Sequence, residues 1–467
     1  MRHLLTFALF AASPLAAQAP AAVVPPPSSA VKKAAATITA SDVARRVHVI
    51  ADDSMMGRDT PSPGLEMTAQ YVADQFKSFG LKPGGENGTW FQRYDILQVQ
   101  FDPAESHVGF MAGGKHVHAE FTTDARFMGG TTPDKEIGGP VVVIGGKPNR
   151  DALAGMDATG KVIVVVMDYS KGPTAGGMGQ MIGAVYALHP LGVVILSNRD
   201  SAGWANRMKA PYRPGIRLAG AEGRPPVVEV NDAALASVLA AGGVDVAKIR
   251  ADTSTVILTD PGLKVMIDLK ETVLKKSSAP NTIGILEGTD PKLKHEYLVY
   301  SAHMDHVGIA SGKPDSIHNG ADDDASGTVG VVELAEAFSR PGARPKRSIL
   351  FITVSGEEKG LWGSNYFVNH PTVPLKDMVA DINLDMIGRN WPDTIVAIGR
   401  EHSDLGKTLE AVNAQHPELG MAAIDDRWPE ENFYGRSEHY NFAKNGVPIL
   451  FFFNGVHPQY HRADDEV

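Results

Sequence analysis

Four short apolar runs, "YLVYSA" (297–302), "RSILFITV" (347–354), "VADINLD" (379–385) and "VPILFFF" (447–453), punctuate the chain from Val265 onward. Between the first two lies "SGTVGVVELAEAFS", with Val329, Val332, Ala335 and Phe338 at helical spacing. Strand, helix, strand in this rhythm predicts an α/β fold whose central sheet is mainly parallel and flanked by helices. Upstream, "GLEMTAQYVADQFKSFGLKPGG" places Ala69, Val72, Phe76 and Phe79 on one helical face, with Gly80 as the stop.

Acids and histidines fall where those strands end. His303 and Asp305 follow the first run, Glu357 and Glu358 the second, and Asp385 closes the third. His461 follows the fourth after a short loop, and Asp323 sits just before the crossover helix. Open α/β sheets bind ligands beyond the carboxyl ends of their strands, so residues distant in sequence are expected to converge there. Each piece alone is modest, since "GEE" (356–358) also reads as a solvated charge pair and "HMD" (303–305) as an ordinary strand end. Asp385 ends an apolar run, where an unpaired charge is costly and a partner is expected. Together His303, Asp323, Glu358, Asp385 and His461 form a plausible ligand set for two zinc ions sharing one carboxylate. Imidazole and carboxylate donors also admit manganese or cobalt.

Several other chemistries are excluded. With no cysteine there are no disulfides and no thiolate zinc sites. The zincin motif fails because "HEYLV" has Val299 where its second histidine belongs. There is no G-x-S-x-G elbow and no phosphate-binding loop, and the triplet Asp322-Asp323-Asp324 has the wrong spacing for a calcium loop. Lys+Arg 44 against Asp+Glu 54 gives 44 − 54 = −10, which argues against a nucleic-acid partner.

The opening "MRHLLTFALFAASPLAAQAP" reads as a secretory signal, with Arg2, an apolar core and Ala17-Gln18-Ala19 as a cleavage pattern. Its apolar run is far below the ~20 residues of a membrane span, so no membrane anchor is expected. The Pro/Ala/Ser-rich stretch after it is expected to be a disordered tether, with order beginning near Ile38. Between 115 and 262, "GGPVVVIGG", "GKVIVVVMDY" and "LGVVILSN" are Gly-bounded β-branched runs, which predict a β-rich inserted domain. The expected organisation is a signal over 1–19, a linker over 20–37, catalytic parts over 38–114 and 263–467, and the insert over 115–262.

"SAHMDHVG", "NGADDDASG", "SGEEKGLWGS", "NLDMIGR" and "YHRADD", in this order, resemble the di-zinc aminopeptidase family that includes glutamate carboxypeptidase-type enzymes and glutaminyl cyclases. "GRDTPSPGLEMTAQYVADQFKSFGLKP" is similar to that family too, and the 115–262 insert resembles its protease-associated (PA) domain. The resemblance implies a zinc-exopeptidase-like α/β/α sandwich and an enzyme acting on peptides with a free N-terminus, which the signal sequence would place in the periplasm or outside the cell. By motif position it implies that His303 and Asp385 hold one zinc, Glu358 and His461 the other, and that Asp323 bridges them. Glu357 would be the general base, Asp305 would orient His303, and Tyr460 would hydrogen-bond the oxyanion. It also implies a cis bond at Asp323–Asp324, and a helix packing on the sheet beyond His461, although the chain ends at Val467. The remaining readings are a carboxypeptidase or dipeptidase on the same scaffold, a glutaminyl cyclase, and a PA-containing binding protein with a dead site. The stretch 425–442 is expected to form one pocket wall. Trp428, Phe433 and Tyr434 either line it or pack beneath it, and Ser437 and His439 have no assigned role.

Overall fold

The computed structural model describes residues 25–146, 151–170, 177–220, 223–312 and 314–467. All four apolar runs are strands: Tyr297–His303, Ser348–Val354, Met378–Leu384 and Ile449–Phe452. They run parallel, with Tyr297–His303 between Ser348–Val354 and Met378–Leu384, and Ile449–Phe452 beyond the latter. Two antiparallel neighbours make the sheet mixed: residues 282–286 against Ser348–Val354, and Thr394–Ile398 against Ile449–Phe452.

The continuous apolar character of these strands reflects burial on both faces. In Ser348–Val354 the two-residue period sorts side chains to opposite sides. Ile349 and Phe351 join Val72 and Phe76 of helix Pro63–Ser78 and Val332 and Ala335 of helix Gly327–Ser339. Leu350, Ile352 and Val354 join Phe367 of helix Trp362–Asn369 and Phe442 of helix His439–Lys444. The result is a helix–sheet–helix sandwich. Phe351 stacks on Tyr300 at 5.8 Å and meets Phe76 at 6.1 Å, so Phe351→Ala is expected to cost about 3–5 kcal/mol.

Helix Pro63–Ser78 starts where Ser62 Oγ accepts the Leu65 N–H at 3.1 Å, with Pro63 in the first turn. It stops at Gly80, whose φ of +79° suits glycine, and the Leu81 N–H returns to the Phe76 carbonyl at 3.1 Å.

The chain divides into two compact units, one formed by residues up to Tyr94 together with Ser278–Val467, the other by Asp95–Ser277. The second unit therefore extends past the expected 115–262 at both ends. Its core is a parallel sheet of Ile137–Gly146, Val162–Val166, Gly192–Ser197 and Val227–Asn231. Val141, Val143, Val162, Val164, Val194 and Leu196 face one cluster, and Val142, Ile144, Ile163, Val165, Val193 and Ile195 the other. Helices including Gly177–Tyr186 and Ser201–Lys209 lie between these strands in sequence, because parallel neighbours need crossovers. The β-branched runs revealed the strands but not these short crossings.

The expected signal over 1–19 lies outside the described residues. Within the expected tether, Ser29–Ala35 is a helix rather than disordered chain, and Ser28 Oγ accepts the Val31 N–H at 3.2 Å. "SAVKKAA" is rich in good helix formers and contains no proline, whereas Pro25–Pro27 precede it. No helix among the described residues is long and apolar enough to cross a membrane.

Candidate metal centre and catalytic site

The fold brings the strand-end residues together. His303 is the last residue of its strand, and Asp385 directly follows Met378–Leu384. Asp323 lies in the irregular turn Ala321–Ser326 that feeds helix Gly327–Ser339. His303, Asp323, Glu357, Asp385 and Tyr460 all line one small cavity of about 40 Å³, walled by Phe433, Phe451, Phe453 and Arg436. Of the three aromatics expected at this wall, Phe433 lines the cavity. Trp428 instead stacks on Trp391 at 6.1 Å and packs edge-on to Phe453, while Tyr434 packs against His402 and His439.

The two oxygens of Asp323 face different partners. Its Oδ1 is 3.3 Å from His303 Nε2, which is 3.6 Å from Asp385 Oδ1. Its Oδ2 is 3.1 Å from His461 Nε2, which is also 3.1 Å from Glu358 Oε2. Asp323 is thus the carboxylate common to a His303/Asp385 group and a His461/Glu358 group. The Asp323–Asp324 peptide is cis.

The residues behind these groups position them. The Asp305 backbone carbonyl lies 3.2 Å from His303 Nδ1, closer than its carboxylate at 3.7 Å. With Nδ1 turned to that carbonyl, Nε2 is the nitrogen that His303 turns toward Asp323 and Asp385. The Asp305 carboxylate instead accepts Thr60 Oγ1 at 3.0 Å and the Glu357 N–H at 3.2 Å. Asp324 accepts the N–H groups of His303, Gly327 and Met386 at 3.2, 2.8 and 3.2 Å, so its lone pairs serve the backbone. Asp322 Oδ1 accepts the Gly388 N–H at 2.7 Å. Both outer members of the triplet therefore shape the turn that presents Asp323.

Sequence reasoning missed three residues. His306 is fully buried with Nδ1 2.9 Å from Glu358 Oε1 and 3.6 Å from Asp323 Oδ2. Its only signal was a second histidine in "HMDH". Asp465, also fully buried, accepts the N–H groups of Asp322 and Asp323 at 3.2 and 3.1 Å and Arg389 Nη2 at 3.1 Å. Arg58 is buried and donates to the carbonyls of Met304, Ile50 and Gly320, tying the turn to the end of helix Ala40–Ile50 and to the segment after His303. Nothing local in sequence marks the last two.

Ser437 and His439 belong to a buried network under the strand that ends at Asp385. Asn383 Nδ2 donates to Ser437 Oγ at 3.0 Å, and Ser437 Oγ donates to Glu438 Oε2 at 2.7 Å. His439 lies 2.8 Å from the Tyr434 carbonyl through Nε2, and burial pushes its pKa down to about 3. Burial pushes the Glu438 carboxyl up to about 7.

Asp323 Oδ2, Glu358 Oε1, Asp385 Oδ1 and His461 Nε2 are all buried without a hydrogen-bond partner among the described residues. Leaving one such atom unsatisfied costs ~1–3 kcal/mol, and more for charged groups. Against the cost of burial, the Asp323 and Glu358 carboxylates, each 3.1 Å away, hold the His461 pKa up at about 9. Burial works against a charged His303 as well, yet Asp385 and its other carboxylate neighbours hold its pKa well above the ordinary value. The cluster thus demands positive charge, and its nitrogen and oxygen donors, without sulfur, fit zinc. A further group of potential ligands, His107, Glu136 and Asp268, lies in the second unit, where Asp268 is already paired with Lys270 at 2.6 Å.

Residues 281–467 match the model of peptidase family M28. Leupeptin-inactivating enzyme 1 of Streptomyces exfoliatus is 31% identical over 177 residues, which is 38% of this chain and 36% of that protein. Aminopeptidase YwaD of Bacillus subtilis (strain 168) is 27% identical over 209 residues, 43% of this chain and 42% of that protein. The matches thus span less than half the length of these curated relatives. Among solved structures, an aminopeptidase from Aneurinibacillus sp. strain AM-1 is 19% identical, with 93% of this chain and 90% of that chain covered and a TM-score of 0.46.

Proposed function

We propose, from the match of residues 281–467 to peptidase family M28, that this chain is an exported zinc aminopeptidase that hydrolyses N-terminal peptide bonds. In this reading His303 and Asp385 hold one zinc, Glu358 and His461 a second, and Asp323 is shared. The observation that carries it is the placing of the two Asp323 oxygens at 3.3 and 3.1 Å from histidines of two separate groups.

Zinc there supplies Lewis-acid polarisation of the scissile carbonyl and of a water. Glu357 lines the same cavity and takes the proton of the attacking water, then returns it to the leaving amine. Its pKa is raised by burial, with the Glu358 carboxylate adding to that, so proton affinity is high at the point of need. Burial, followed by the Asp323, Glu358, Asp385 and Glu357 charges, drives the Tyr460 hydroxyl strongly toward its protonated form. It is therefore a donor for the developing oxyanion. Phe433, Phe451 and Phe453 offer apolar contact and exclude water.

One observation favours a second reading. Arg436 lines the cavity, with its guanidinium 4.5 Å over the Phe433 ring, and a cation there suits the terminal carboxylate of a carboxypeptidase substrate. The opening 20 residues support export, and N-terminal sequencing of the secreted protein tests it by showing whether cleavage falls near residues 17–19.

A panel of aminoacyl-anilides, assayed with and without chelator, tests the main reading. Wild type is expected to cleave them, to lose activity with chelator and to regain it with zinc, at two ions per chain. Glu357→Gln is expected to lose ~10²–10⁴-fold in kcat with zinc content unchanged. Near-wild-type cleavage by Glu357→Gln would sink the base assignment. Activity confined to N-blocked peptides with free C-termini would select the carboxypeptidase reading, and binding of calcium alone would overturn the site.

A further inference from the structure

We propose that the second unit carries a pocket for the C-terminal carboxylate of a peptide, anchored by Arg126. Arg126 is only 6% exposed. Its guanidinium lies 4.5 Å over the Tyr212 ring and has no ion pair or hydrogen bond among the described residues. A buried cation without a counter-ion is costly, so this one calls for an anion from outside.

The nearest acids are already spent. Glu229 sits opposite Arg126 in the strand register, but its carboxylate takes Arg199 Nε at 3.0 Å and Arg207 Nε at 2.9 Å. Glu271 is paired with Arg217 at 2.8 Å. Arg126, Arg213, Arg217 and Glu271 line one cavity of about 440 Å³, which leaves positive charge in excess, and Arg213 stands exposed on its rim. A guanidinium fork matches a carboxylate in two-point geometry.

The rest of the cavity indicates what the carboxylate is attached to. Phe101, Phe127 and Tyr212 form an aromatic floor, with Phe101 4.8 Å from each of the other two rings. Met128 and Ile216 are exposed beside it. This suits a bulky apolar side chain next to the anion. Two strands that line the cavity, Ala125–Gly129 and Gly215–Leu218, each have a sheet partner on one side only among the described residues. Open edges of this kind accept extended backbone. Anion, apolar side chain and extended backbone together describe a peptide ending in an aromatic or large aliphatic residue.

The test uses the full chain carrying Glu357→Gln, to halt hydrolysis, and N-acetyl-Ala-Ala-Ala-Phe as free acid and as amide, titrated calorimetrically. The acid is expected to bind at least about tenfold more tightly than the amide. That preference is expected to vanish in Arg126→Gln and to shrink in Arg213→Ala, a rim change that leaves the core intact. Equal affinity for acid and amide overturns the proposal, as does an undiminished preference in Arg213→Ala should Arg126→Gln fail to fold. Phenylpropionate binding as tightly as the peptide assigns the pocket to small acids and overturns the peptide reading. Cleavage of an aminoacyl-anilide by a chain carrying Arg126→Gln alone is expected at the wild-type rate, so loss of the peptidase reading and loss of this one are told apart.

Discussion

The two units bury unbalanced charge of opposite sign. In the first, Asp305, Asp323, Asp324, Glu357, Glu358 and Asp385 crowd together, and three of their carboxylate oxygens lack a hydrogen-bond partner among the described residues. In the second, Arg126 is buried, and Glu229, opposite it in the strand register, is already taken by Arg199 and Arg207. A third charge group shows what a purely structural arrangement looks like: buried Arg46 is paired with Glu333 at 2.7 Å and with Glu336. Paired buried charges give little net stability, and unpaired ones are strongly unfavourable. The difference teaches that balance marks a structural role, while imbalance marks a place for a ligand of the missing sign.

Removing the shared carboxylate tests the negative side of this contrast most severely. Asp323→Ala is expected to lose zinc and, because Lewis-acid stabilisation is worth several kcal/mol, to lower kcat/KM roughly a thousandfold or more. Metal analysis beside kinetics checks it, and retention of full zinc content would remove Asp323 from the ligand set. The balanced control should behave oppositely. Arg46→Ala is expected to cost about 3–5 kcal/mol in urea unfolding with zinc affinity unchanged, because it strands the buried Glu333 carboxylate, whereas Glu336 keeps Arg340. A change in zinc affinity there would erase the distinction between balanced and unbalanced groups.

Asp465→Asn puts an amide N–H against the backbone N–H groups of Asp322 and Asp323. A weakening of zinc binding by ~10–100-fold is expected, read by competition with a fluorescent chelator. Unchanged affinity would reduce Asp465 to a packing residue. The smallest effect concerns His439, whose folded pKa of about 3 lies below the ordinary value of 6.5. The folded state then binds fewer protons than the unfolded state between those values, so stability falls as pH drops through 6.5 toward 3. The slope from this group is at most ~1.4 kcal/mol per pH unit. Urea midpoints at pH 7 and pH 5 should therefore differ more in wild type than in His439→Gln, and equal differences would show that His439 is protonated in the fold.

Much of the first unit was legible in sequence because its signals are local. "RSILFITV" can only be a strand buried on both faces, and Val332 and Ala335 reach the core by helical periodicity alone. His303, Glu358 and Asp385 were legible because each lies at or within four residues of the end of such a run. Asp465 and Arg58 were not, since their meaning lies in contacts to residues more than 100 positions away. The unit boundaries at Tyr94 and Ser277 were also hidden, because strands Phe91–Ala112 and Thr255–Leu286 continue through them without a break in composition.

The sequence by itself determined the parallel strands, the crossover helix and the strand-end acids and histidines, since period, length and order are properties of neighbouring residues. Tertiary structure alone decided that Asp323, of three adjacent aspartates, faces both histidine groups, while Asp322 and Asp324 turn to backbone N–H groups. It alone decided that His306 joins them and that Arg126 is buried without a partner among the described residues. The physical reason is that charge balance belongs to a volume rather than to a segment of chain, and a volume exists only once distant residues have packed around it.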